Sequence, residues 1–150
     1  FRDIILEAAI GIEAFLCEGS SDVSLQFRLN TSWLLGESYE ERQKIERVCR
    51  HLYDLRSKIV HRGGKKKEIE RIAKKLGDIP KASKIALDLF RLIILRVLII
   101  KKQTIEVPTE KTLRQQIRQA RLGGGLDLPP NSFFKEAKTA FFKAYCSFLG

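Results

Sequence analysis

From Ile85 to Ile100 every residue is apolar except Asp88, Arg91 and Arg96, and the apolar positions cover the whole circumference of a helix. A membrane span needs about 20 apolar residues with few charges. This run is shorter and carries an acid and two arginines, so it reads as a buried helix. It has to be covered on all sides, either at the centre of a bundle or between subunits. The second option makes self-association an expectation.

The surrounding sequence supplies candidate covering helices. Residues 3–17 place Ile5, Ala8, Ala9, Ile12, Phe15 and Leu16 on one helical face. After a break at Gly19-Ser20-Ser21-Asp22, a second helix is predicted from Val23 to Leu35, stopping at Gly36. Ser38 to Glu41 forms an S-x-x-E capping box, followed by a stripe of Ile45, Val48, Leu52, Leu55 and Ile59. Gly63-Gly64 should end that helix. A short basic helix spans about Lys66 to Leu76, and Pro80 fits the first turn of the long apolar helix, which runs to about Lys101. Gln103 to Pro108 reads as an extended connector, with Thr109 as a cap. A polar helix follows from about Glu110 to Leu122, then a break at Gly123–Gly125 and Pro129-Pro130. A last helix from about Ser132 to Phe148 carries Phe134, Ala137, Phe141, Tyr145 and Phe148 on one side, a stripe read as packing. The expected fold is all-α: an up-and-down bundle of about five helices over residues 1–103, with two further helices in a C-terminal extension, 104–150.

Composition narrows the setting. Cys17, Cys49 and Cys146 are odd in number, widely spaced and free of C-x-x-C patterning, which argues against a disulfide framework or a zinc site and favours a reducing, cytoplasmic location. The chain opens on Phe1 without a signal peptide and contains no Met, so it is expected to be part of a longer protein. The net charge of +10 is uneven. The segment up to His61 is slightly acidic and everything after it strongly basic, which suits a polyanionic partner such as a nucleic acid.

Most catalytic motifs are absent. No phosphate-binding G-x-x-x-x-G-K-[ST] or G-x-G-x-x-G occurs, no serine sits in a nucleophile elbow, and His51 and His61 alone offer no metal-binding arrangement. No cofactor is expected. What remains is the stretch from Tyr53 to His61 and the lysines after it. With Ile45 set at zero on a helical wheel, Arg56 falls at about 20°, inside the apolar stripe. An arginine there must find a carboxylate or a phosphate. Glu13, at the edge of the first helix's apolar face, is the expected partner. The pair could be a structural ion pair, an anion-binding guanidinium held by its carboxylate, or both. His61 falls at about 160°, away from Arg56, and shares its face with Asp54. The two can converge if the helix ends or turns before His61. A histidine at a helix end can also cap free carbonyls.

The segments Ile12-Glu13-Ala14-Phe15-Leu16, Phe27-Arg28-Leu29 and Leu52 to His61 together resemble the HEPN superfamily, and within it the Apea-like HEPN group. The defining pattern is an arginine, a polar residue, three variable residues and a histidine late in a helix, here Arg56, Ser57 and His61. The likeness covers about residues 3–100. It departs from the group in placing Arg62 between His61 and the glycines.

The resemblance implies metal-independent RNA cleavage in a toxin or other defence system, with a composite site built by two domains. Arg56, Ser57, His61 and Glu13 would form the catalytic set. Lys58, Arg62, Lys65, Lys66, Lys67, Arg71, Lys74 and Lys75 would track the RNA backbone. The implied partners are RNA, a second copy of the chain and the rest of a longer parent protein, with no membrane. The competing implication is a non-catalytic HEPN module that binds RNA or nucleotide and dimerises.

Overall fold

The computed structural model describes residues 1–19, 21–61, 66–103, 110–124 and 131–146. Among these residues there is no strand. Seven helices pack together: α1 (Arg2–Leu16), α2 (Val23–Leu35), α3 (Tyr39–His61), α4 (Lys66–Ala73), α5 (Ile79–Gln103), α6 (Glu110–Gln119) and α7 (Ser132–Phe141). α4 tightens into a 3-10 turn, Lys74–Leu76. The chain after α6 turns through Ala120–Gly124 and kinks at Gly123, whose φ is 108°. α7 widens into a π-helical turn at Phe142–Cys146. α5 runs on through Gln103, the residue expected to open the extended connector. The rest of that connector at 104–108, the Thr109 cap, Gly63-Gly64, Gly125, Pro129-Pro130 and the tail of the last helix at Phe148 lie outside the described residues.

The helix ends follow local chemistry. Ser38 Oγ accepts the Glu41 N–H at 3.1 Å, and the Glu41 carboxylate accepts the Glu37 N–H at 2.9 Å. This is a capping box whose return bond falls one residue early. Asn131 caps α7 by accepting the Phe134 N–H at 2.9 Å. The 3-10 turn after α4 ends at Gly77, whose φ of 106° is open to glycine at little cost.

α5 is the central helix, packed by α1, α2, α4 and α7. Ile85, Ala86, Leu89, Ile93, Val97 and Ile100 are buried along it, whereas Arg91 and Leu98 face outward. Much of the cover that an all-apolar helix requires thus comes from the chain itself. α1 approaches closely because Gly11 has no side chain: a Cβ there would lie 2.6 Å from the Phe90 ring of α5. α7 sets Phe134, Phe141 and Tyr145 into the same continuous core, which also takes in Leu113 and Ile117 of α6. The aromatic stripe of the last helix is packing as far as it is described.

Two of the three charges within the α5 run are paired, and the third, Arg96, lies against an aromatic ring with its Nε buried and without a hydrogen-bond partner among the described residues. Asp88 accepts the Tyr145 hydroxyl at 2.6 Å and pairs with Arg91 at 3.2 Å. Arg96 is buried with its guanidinium 4.4 Å from the Phe134 ring centre. Among the described residues no helix is long and apolar enough to cross a membrane.

Candidate functional site

α3 carries the site residues, and its face toward α1 is where the first of them meet. Arg56 Nη2 donates to Glu13 Oε2 at 3.1 Å, joining α3 to α1. The side chains are 19% and 18% exposed, so the pair is largely but not wholly removed from water. Tyr53, one helical turn earlier, lies under the guanidinium at 5.7 Å from its ring centre and packs on Phe27 of α2 at 5.5 Å. The pairing is incompletely satisfied. Glu13 Oε1 and Arg56 Nε are both buried without a hydrogen-bond partner among the described residues.

The charges of this pair reach their neighbours. Burial, and then the Glu13 carboxylate, push the Cys17 thiol up to about 12, with Arg114 pulling the other way. Burial and Glu13 likewise raise the Tyr53 hydroxyl, against Arg56. Both groups stay protonated and neutral near neutral pH, which leaves Arg56 as the cation at the centre of the cluster.

The far end of α3 is arranged differently. The helix continues through His61 without a turn. The loosening before His61 that would let it swing toward Arg56 is therefore absent, and a continuous helix sets the two about 140° apart. His61 is exposed, and Ser57 is half-buried between the two faces. Within one chain the arginine and the histidine address different surroundings.

α4 doubles back beside α3. Lys58 Nζ lies 4.0 Å from Glu68 Oε2, and Lys75 is close enough to His51 to lower its pKa further after burial has done so. Ile69, Ile72, Ala73 and Leu76 point into the core, which leaves Lys66, Lys67, Arg71, Lys74 and Lys75 exposed on the outer face. The sequence-predicted lysine row thus forms one solvent-facing strip running back from the end of α3. Lys58 is half-buried on the flank toward α4, and Arg62 and Lys65 lie outside the described residues.

Two polar arrangements escaped the sequence reading. Lys138 of α7 is buried between Glu37 and Glu41 at 3.0 Å from each. Arg114, Arg118 and Arg121, spaced to share one face of α6 and the turn after it, line a cleft against α2. The signal for the second was their four- and three-residue spacing in a polar helix. The first had no local signal, since Lys138 lies far along the chain from its glutamates.

Among the described residues no cluster of His, Cys, Asp or Glu is arranged to hold a metal ion. No protein-family model, curated protein or solved structure matches the chain.

Proposed function

We propose that this chain is a cytoplasmic endoribonuclease domain of the HEPN kind, acting in a defence or toxin system, which cleaves RNA without metal and works as a pair of identical chains. The observation that carries the proposal is the 3.1 Å Glu13–Arg56 pair, which fixes a partly exposed guanidinium five residues before an exposed histidine, with a lysine strip beside them.

The chemistry needs few protein groups because the substrate supplies its own nucleophile. The RNA 2′-OH attacks the adjacent phosphorus and the bond to the 5′-oxygen breaks, leaving a 2′,3′-cyclic phosphate. One imidazole takes the 2′-OH proton and a second, protonated, gives a proton to the departing 5′-oxygen. Arg56 offsets the charge on the non-bridging oxygens, a role suited to its planar fork of donors. Because His61 and Arg56 diverge around α3, a working site brings His61 of both chains to a shared cleft. The strip of Lys66, Lys67, Arg71, Lys74 and Lys75 holds the RNA backbone.

The test is cleavage of end-labelled RNA in EDTA at a series of protein concentrations. Cutting should persist in chelator, rise more steeply than linearly with dilute protein, and fall about 10²–10⁴-fold in His61→Ala while RNA binding remains. Cutting that stops in EDTA, or is equal in His61→Ala, would overturn the reading. The divergence of Arg56 and His61 within the chain also favours a second reading, a non-catalytic RNA-binding module in which the Glu13–Arg56 pair is structural. Saturable RNA binding with no cutting at any concentration would select it.

A further inference from the structure

The cleft between α2 and α6 is separate from the α3–α4 surface. It has a volume of about 510 Å³ and none of Arg56, Ser57, His61 or the α4 lysines lines it. One wall is basic. Arg114 donates to the carbonyls of Ala14 and Phe15 at the end of α1, at 3.1 and 3.3 Å, and Arg121 donates to Asn30 Oδ1 at 3.1 Å. Asn30 is in turn buried and donates to the Leu16 carbonyl at 2.6 Å. Two of the three guanidiniums are therefore anchored to the scaffold. Arg118, between them, makes no hydrogen bond or ion pair among the described residues. It also stands close enough to Arg121 for like-charge repulsion to be felt. Such an arrangement is stabilised by an anion placed between the guanidiniums.

The opposite wall carries the exposed carboxylates of Glu18 and Asp22, together with Ser21. Asp22 is held at φ 53°, the one residue other than glycine with positive φ among the described residues. The ligand that fits is thus bipolar: an anionic group on the arginines and hydroxyl donors toward the carboxylates. A long polyanion does not fit, since its further phosphates would meet Glu18 and Asp22. Among the described residues no aromatic side chain lines the cleft, so none of them offers a nucleobase a ring to stack on. We infer that this cleft is a binding site for a small sugar phosphate, its phosphate held by Arg118 and Arg121 and its hydroxyls by Asp22 and Glu18. The volume lies within the range usual for small-ligand sites.

The test is calorimetric titration of the intact chain, without metal, with ribose 5-phosphate and glucose 6-phosphate, and in parallel with inorganic phosphate, adenosine 5′-monophosphate and a short single-stranded RNA. One of the two sugar phosphates should bind saturably, and inorganic phosphate roughly 10-fold or more weakly, because it lacks the hydroxyl contacts. Arg118→Glu should abolish the binding. Arg118 is exposed and unpaired among the described residues, so the variant should keep its helical signal and unfolding midpoint. Asp22→Asn, which tolerates the left-handed backbone, should weaken binding several-fold. His61→Ala should leave it unchanged, which separates this site from the proposed nuclease surface. The inference is overturned if neither sugar phosphate saturates, or if Arg118→Glu binds as wild type does. It is equally overturned if inorganic phosphate, the nucleotide or the RNA binds as tightly as the better sugar phosphate.

Discussion

Removing the carboxylate of Glu13 isolates the contribution of the pair that ties α1 to α3. In Glu13→Ala the Arg56 guanidinium loses a charged hydrogen bond and stays in a site where its side chain is 19% exposed. Stranding one member of a fully buried pair costs about 3–5 kcal/mol, and a single charged hydrogen bond is worth about 1.5–3 kcal/mol. Residual solvent access places this case between the two, at about 2–3 kcal/mol. Arg56→Met should cost a similar amount, since it keeps much of the side-chain stem and strands a carboxylate that is 18% exposed. The double variant strands neither charge, so it should be about as stable as either single variant, with a coupling of about 2 kcal/mol. Urea titration followed by helical circular dichroism measures all four proteins, and thermal scans should show each single variant melting about 4–12 °C lower. If the two single losses add in the double variant to within about 0.5 kcal/mol, the pair is not the joint described here and its role in positioning Arg56 falls with it.

Two further outcomes test the arrangement. Burial alone would raise the Glu41 pKa, but the Glu37 N–H and the Lys138 ammonium outweigh it and the carboxyl titrates low. Its contribution is therefore present above the unfolded carboxyl range, at about pH 4.5, and is lost as pH falls through the lowered folded value. Acid titrations should show that loss, and Lys138→Met should flatten it while costing about 1–2 kcal/mol at neutral pH. Cys17, with its thiol pushed to about 12 by burial and Glu13, should be alkylated at about pH 8 on the order of a thousandfold more slowly than an ordinary cysteine. Peptide mapping that finds Cys17 labelled as fast as in denatured protein would contradict its placement.

The helices and several of their ends are legible in short stretches of sequence. Apolar spacing, the Ser38–Glu41 box and Pro80 act within a few residues of one another, and backbone hydrogen bonding in a helix is equally local. The same logic reached the Glu13–Arg56 pair, because an arginine inside an apolar stripe demands a carboxylate and α1 offers one at the edge of its own stripe. The periodicities leave the packing partners open. A stripe says that a face is covered, not by what. α5 could have been covered by a second chain, yet α1, α2 and α7 cover much of it within one, with α7 clamped by Lys138 to Glu37 and Glu41 far away in sequence. The course of the chain at His61 was likewise undecided. The glycines behind it allowed an early turn, whereas α3 runs on and holds His61 away from Arg56. The arginine face of α6 became a cleft only because α2 lies opposite it. Each of these outcomes depends on which helices lie side by side, a choice made by the summed burial of the whole core rather than by any one segment.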